Sequence, residues 1–184
     1  MSKADLRIKV RAVREGLSDD MRRSATESIQ RHAIKLLQKV TGSIGLYMPC
    51  NYEVSPVGIM HHLTQRTFAF PVVGNDLMHF HQWDDTAAHS KNKYGITEII
   101  TQKVILPDII ITPLLGIDRY GTRLGYGKGY YDRYFATDGN NALRIGLAFS
   151  AQLMHKLPYE AHDIALHATI TERGIMRHKQ RIHS

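Results

Sequence analysis

The sequence predicts an α/β protein, three layers deep (α/β/α), built on a mostly parallel central sheet. Short apolar, β-branched runs alternate along the chain with stretches of helical periodicity, which is how strands joined by crossover helices read. Ile109-Ile-Ile-Thr112 is β-branched throughout, as a strand covered on both faces must be. At 184 residues the chain is long enough for one domain with a substantial core.

The elements follow in order. Residues 3–15 carry Leu6, Val10 and Val13 at helical spacing with basic residues between them, and Gly16 stops the helix. Ser18 reads as an N-cap, and Asp19 and Asp20 favour a helix start. That helix is expected to run to about Lys39 on Ile29, Ala33, Leu36 and Leu37, with Gly42 beyond its end. The period then changes: Ser43 to Tyr47 reads as a strand, Pro56 to Gln65 as a helix, Thr67 to Pro71 as a strand, and Leu77 to Trp83 as a half-exposed strand. After Ile109–Thr112 a helix is expected from about Lys128 to Phe135, then strands at Leu143–Phe149 and Ala168–Thr171. The polar, basic tail from about Met176 (176–184) is expected to fray.

Composition narrows the class. The single cysteine, Cys50, makes no disulfide framework, and no run of about 18 apolar residues predicts a membrane span. The charged start, Met1-Ser-Lys-Ala-Asp5, is unlike a signal peptide, so a cytoplasmic protein without a membrane partner is expected. A net charge of +7 suits anionic partners: nucleotides, polycarboxylates or nucleic acid. The last is disfavoured, because no helix-turn-helix or zinc pattern is present and the aromatics do not interleave with a basic face. Eleven histidines include His79 and His81 on one strand, but His61, His62 and His89 are scattered and no third ligand completes a zinc spacing.

The chemistry concentrates after Ile109–Thr112 and Pro113. In open α/β sheets ligands bind beyond the carboxyl ends of strands, and here the chain enters a loop holding Gly116, Gly121, Gly125, Gly127 and Gly129. Glycine lets a phosphate approach backbone N–H groups, a helix start just behind adds its own, and Arg123 and Lys128 add positive charge. The loop is neither a Walker A motif, since Gly129 follows Lys128, nor a dinucleotide fingerprint. Tyr130, Tyr131 and Asp132 point in different helical directions: one tyrosine packs in the core while the other walls a flat ring. Asp132 is either a Mg²⁺ ligand, a partner of Arg133 or a helix-start charge.

From Gly116 to Arg133 the segment Gly-Ile-Asp-Arg-Tyr-Gly-Thr-Arg-Leu-Gly-Tyr-Gly-Lys-Gly-Tyr-Tyr-Asp-Arg resembles the 5-formyltetrahydrofolate cyclo-ligases, also called methenyltetrahydrofolate synthetases. Lys3-x-x-x-Arg7, Glu53-Val54 and Pro158-x-Glu-x-His-Asp163 are similar to further elements of that family, in the same order, so the likeness covers nearly the whole chain.

The resemblance implies a single domain of the NagB/RpiA/CoA-transferase-like kind over 1–184, and an ATP- and Mg²⁺-dependent reaction that closes 5-formyltetrahydrofolate to 5,10-methenyltetrahydrofolate. It implies that Lys3, Arg7, Arg123, Leu124, Gly125, Tyr126, Gly127, Lys128, Gly129, Tyr130 and Tyr131 bind ATP, with Lys128 and Arg123 catalytic. Met48, Glu53, Tyr94, Tyr126, Lys128 and Tyr130 would hold the folate, and Asp132 and Asp163 the Mg²⁺. A carboxylate suits the pterin's amino-pyrimidine edge because it offers two acceptors side by side. The substrate could carry a polyglutamate tail, and a monomer is expected. Three positions depart from the family pattern: Ile99 after Glu98, His167 where a second aspartate is usual, which would weaken metal binding, and Ile117 before Asp118. The rival reading is another ATP- or sugar-phosphate-binding α/β enzyme, which would have no use for Glu53 and Tyr94 as a pterin site.

Overall fold

Two helices open the chain because each has a side chain ready to satisfy its first amides. In the computed structural model, which describes residues 2–84, 88–91, 97–100 and 103–179, α1 spans Lys3–Glu15 and α2 spans Asp19–Leu37. Ser2 and Asp5 form a capping box on α1, and the Ser18 hydroxyl accepts the Met21 N–H at 3.2 Å on α2. The buried stripe of α1 is Leu6, Val10 and Arg14, whereas Val13 is 41% exposed. At 3.6 residues per turn Lys3 and Arg7 lie on that same face, so α1 turns one cationic, apolar stripe inward.

The strands then build the sheet: β1 (Ile44–Gly45), α3 (Val57–His62), β2 (Phe68–Gly74), β3 (Leu77–Gln82), β4 (Ala88–Lys91), β5 (Thr97–Ile100), β6 (Val104–Ile105), β7 (Ile109–Thr112), β8 (Gly116–Asp118), β9 (Arg123–Leu124), α4 (Tyr130–Ala136), β10 (Leu143–Leu147), a 3₁₀ turn (Ser150–Gln152), β11 (Leu153–Met154), β12 (Ala168–Thr171) and β13 (Gly174–Arg177). Among the described residues the main sheet runs β13-β12-β10-β7-β1-β2-β3-β6. Its five middle strands, β12 to β2, are parallel, and β13, β3 and β6 add antiparallel edges. β8, β9 and β11 form a second, small sheet, and β4 pairs with β5.

Alternation along β7 divides the core between two faces. Ile109 and Ile111 pack with Ile29, Ala33 and Leu37 of α2 and Ile59 of α3, while Ile110 packs with Phe80, Tyr134 and Phe135 on the side of α4. These are the three layers expected. α1 instead lies over the small sheet, where Leu6 and Val10 meet Leu115, Leu124 and Leu157.

Differences from expectation have local causes. α3 ends at His62, since Leu63 leaves helical geometry at φ −114° and ψ 49°. β2 runs on to Gly74 because Asn75 and Asp76 both take positive φ, 49° and 60°, and turn the chain directly back into β3. The tail is tied down further than Met176: Met176 and Arg177 pair with Thr169 and Ala168, and the His178 ring lies 2.8 Å from the Thr169 hydroxyl. Pairing with β12 satisfies that strand's edge amides, which a loose tail would leave to solvent. Residues 180–184 lie outside the described part.

Candidate active site

The turns after β1 and β7, at the carboxyl ends of neighbouring parallel strands, leave a crevice between them. The glycine-rich segment, the start of α1 and the turn at 160–163 close it into a cavity of about 700 Å³. That volume suits a drug-sized ligand or larger. Every site residue named from the sequence lines this cavity, from Lys3 and Arg7 through Met48, Glu53 and the run Arg123–Asp132 to Asp163, with one exception. Tyr94 lies outside the described residues, and the Ile99 side chain is likewise not described.

The glycine-rich segment is not the plain loop that its composition suggests. β8 and β9 pair as a hairpin, with Gly116 opposite Leu124. Asp118, fully buried, holds the bend: one carboxylate oxygen accepts the N–H groups of Tyr120 and Thr122 at 2.9 and 3.0 Å, and the other accepts that of Leu157 at 3.1 Å. Asp118→Ala strands three amides and is expected to cost about 3 kcal/mol in urea unfolding, as broken hydrogen bonds to a buried charge do. An unchanged midpoint would show that the bend does not depend on Asp118. At Gly121, with φ 80°, a Cβ would meet the Leu166 carbonyl at 2.4 Å, and at Gly127, with φ 97°, one would sit 3.2 Å from the Arg7 guanidinium carbon. α4 begins at Tyr130 and has seven residues, with no side-chain cap at Gly129. Positive charge in the loop therefore rests on side chains more than on a helix dipole.

Those cations are engaged differently. Lys3 reaches Asp163 with Nζ–Oδ distances of 2.7 and 3.0 Å, and Glu160 lies 3.4 Å away. Arg7 donates to the Gly125 carbonyl at 2.9 Å. Arg123 donates to Asp132 at 2.9 Å, and its guanidinium lies between the rings of Tyr131 and Phe135, 5.2 and 5.8 Å from their centres. Asp132 thus pairs with Arg123, nine residues away, and not with Arg133; its other oxygen accepts the Ile164 N–H at 3.2 Å. Lys128 is exposed, and among the described residues no carboxylate pairs with it. Tyr130 and Tyr131 are both partly buried, but the Tyr131 hydroxyl is covered and has no partner among the described residues, and burial raises its pKa.

Glu53 enters the cavity from the turn after β1. One carboxylate oxygen accepts the Tyr126 hydroxyl at 2.6 Å and the other accepts the Cys50 N–H at 2.9 Å. Burial raises its pKa, and the bonds from Tyr126 and Cys50 pull the other way. Burial and the neighbouring Glu53 push the Cys50 thiol up to about 11, so it stays protonated at neutral pH. Met48 packs on the main core and lines the same cavity.

This constellation has known counterparts. The family model described as the 5-formyltetrahydrofolate cyclo-ligase family matches residues 1–172. The chain belongs to that family. It is an ATP-dependent ligase acting on a reduced folate. A 5-formyltetrahydrofolate cyclo-ligase of Haemophilus influenzae is 29% identical over 174 residues, covering 88% of this chain and 92% of the relative. One from Escherichia coli K12 is 45% identical over a shorter stretch of 65 residues, 35% of this chain and 36% of its own. Among solved structures, the 5,10-methenyltetrahydrofolate synthetase of Aquifex aeolicus superposes with a TM-score of 0.82 at 27% identity, over 100% of this chain and 96% of that one.

Three groups in or behind the cavity, Glu160, His162 and Arg14, have no site role assigned from the sequence. Glu160 and His162 join Asp163 in a cluster whose possible ligand atoms all lie within 4.8 Å of one another. Arg14 is fully buried behind Tyr126. The departure at His167 does not touch the cavity: its Nδ1 accepts the Arg144 N–H at 3.0 Å, beside the pairing of β10 with β12. That histidine ties neighbouring strands, so its replacement of an aspartate bears on strand packing and not on the residues grouped around Asp163.

Proposed function

We propose that the cavity takes ATP at the end lined by Lys3, Arg7, Arg123 and Lys128, and 5-formyltetrahydrofolate at the end lined by Glu53, Met48 and Tyr126. The observation that supports this reading is one cavity lined by four cations, Lys3, Arg7, Arg123 and Lys128, and by the half-buried carboxylate of Glu53. The formyl oxygen is amide-like and leaves poorly. Its attack on the γ-phosphorus releases ADP and leaves the carbon activated as a phosphate ester. N10 then attacks that carbon, phosphate departs with the former formyl oxygen, and the proton of N10 is lost to give 5,10-methenyltetrahydrofolate.

The protein's share in this sequence is positioning and charge stabilisation. Arg123, fixed by Asp132 and two rings, is a preorganised positive charge. Lys128 is free to follow the phosphoryl group as it moves. Glu53 accepts the pterin's paired N–H donors, while Tyr130 and Tyr131 wall the cavity between the two ends. The donor set suits Mg²⁺, which prefers one or two carboxylates with phosphate oxygens: Asp163 and Asp132 would hold it, with Glu160 at hand. Bound there, Mg²⁺ would neutralise charge on the nucleotide's phosphates. We further read the chain as one domain acting as a monomer in the cytoplasm; among the described residues no helix is long and apolar enough to cross a membrane.

The test is formation of the methenyl product, followed by its near-ultraviolet absorbance. Product is expected only when 5-formyltetrahydrofolate, ATP and Mg²⁺ are all present. Absence of product at saturating concentrations would end the assignment, and full activity in excess chelator would remove the metal from it.

A further inference from the structure

A buried arginine needs a reason. Arg14 has no exposed surface at all, sits on the last turn of α1, and has no acidic group in direct contact among the described residues. Its Nη2 donates to the Tyr126 hydroxyl at 3.0 Å, and its Nη1 reaches the Leu114 carbonyl at 3.5 Å. Its Nε–H finds no partner among the described residues. Burying an unpaired guanidinium is costly unless an opposite charge lies near. The opposite charge is one hydroxyl away: Tyr126 accepts from Arg14 and donates onward to Glu53 at 2.6 Å. Two hydrogen bonds in line, cation to phenol to carboxylate, polarise one another and strengthen the second.

The geometry points to Arg14 as a positioning residue for the folate half of the site, holding Glu53 oriented and ionised through Tyr126 so that it can accept the pterin's N–H pair. This rests on the reading of Glu53 as the folate-binding carboxylate. The other groups facing Glu53 cannot take over the task. Cys50 offers its N–H and a thiol that stays protonated, Tyr47 donates its hydroxyl to the Val54 carbonyl, and Tyr131 is a neutral buried phenol. Among the described residues Arg14 is the only cation within that set. It also makes α1 span both halves of the cavity, since Lys3 and Arg7 face the nucleotide end of the same stripe. Arg14 looks like its neighbours Lys9 and Arg11 in sequence, which are exposed, and only its register with Leu6 and Val10 turns it inward.

The experiment compares Arg14→Met, Arg14→Lys and Tyr126→Phe with the unsubstituted protein. Two quantities are read: titration of the Glu53 carboxyl by ¹³C NMR, assigned with Glu53→Gln, and KM for 5-formyltetrahydrofolate and for ATP across pH 5 to 8. Arg14→Met is expected to raise the Glu53 pKa and to move the acid limb of kcat/KM for folate upward with it. It should raise folate KM about tenfold at pH 7, with a smaller change in ATP KM. Tyr126→Phe should shift the Glu53 titration in the same direction, the double variant should be no worse than the worse single one, and Arg14→Lys should recover part of the loss. If Arg14→Met lowers the melting temperature but leaves the Glu53 titration and the folate limb in place, Arg14 is structural only and the proposal falls. If Arg14→Met does not fold, the Glu53 titration in Arg14→Lys and Tyr126→Phe decides in the same way. If Glu53→Gln leaves folate KM unchanged while the titration still shifts, the reading of Glu53 is what has failed, and the link from Arg14 to Glu53 stands.

Discussion

Lys128→Ala lowers kcat by about a thousandfold, with thermal unfolding shifted by no more than about 1 °C. The reasoning begins with how the cavity's other cations are engaged. Lys3 is held by Asp163, Arg123 by Asp132, and Arg7 by the Gly125 carbonyl. Each is a fixed charge that stabilises a nucleotide already in place, and such an interaction serves ground state and transition state alike. Lys128 has no such tie among the described residues; it is exposed, and the glycines on either side of it take φ of 97° and 67°. An exposed cation that no carboxylate holds can tighten on the transferring phosphoryl group as its charge spreads, which is stabilisation realised only in the transition state. Removing it should therefore reduce kcat and kcat/KM together. A rise in ATP KM with kcat intact would show instead that Lys128 only binds the nucleotide. Stability should hardly move, because an exposed side chain without a partner contributes little to it.

How much of this could be read beforehand depended on the range over which each signal acts. α1 announces itself through its apolar period and α2 through Ser18 as well, because capping is local, within three residues. β7 is legible because both its faces are covered. β8, β9 and β11 are two or three residues each, too short to show any period, and their pairing turns an apparent glycine loop into a small sheet. The partner of Asp132 is hidden from the sequence for a related reason. Arg133 is its neighbour in sequence, but helical geometry turns adjacent side chains apart, and the β8–β9 hairpin delivers Arg123 instead. Glu53 stood out only through family resemblance, since a lone carboxylate after a strand has no period or spacing to mark it. The phenol and guanidinium behind it come from a loop 73 residues away and from α1, and no local pattern connects them.

Glu53→Gln is expected to raise KM for 5-formyltetrahydrofolate about a hundredfold, leave ATP KM within about twofold, and make the protein relatively more stable as pH rises. The binding effect follows from acceptor count. A carboxylate offers two acceptors side by side to the pterin's N–H groups, whereas an amide offers one acceptor and turns a donor toward a donor. The stability effect follows from burial. Glu53 is shielded from water, and its pKa in the folded protein lies above the ordinary carboxylate value of 4.5 because desolvation outweighs the bonds from Tyr126 and Cys50. A carboxyl that holds its proton more tightly when folded favours the folded state fully below its unfolded pKa, and loses that contribution as pH rises through its folded pKa. Glutamine carries no such charge at any pH. Urea unfolding from pH 4 to 7 should therefore show the unsubstituted protein losing ground to the variant over that interval. A flat difference, or one of opposite slope, would mean that Glu53 ionises as easily folded as unfolded. The binding site would then rest on a well-solvated carboxylate and not on one that the fold holds charged, at a cost in stability, for its ligand.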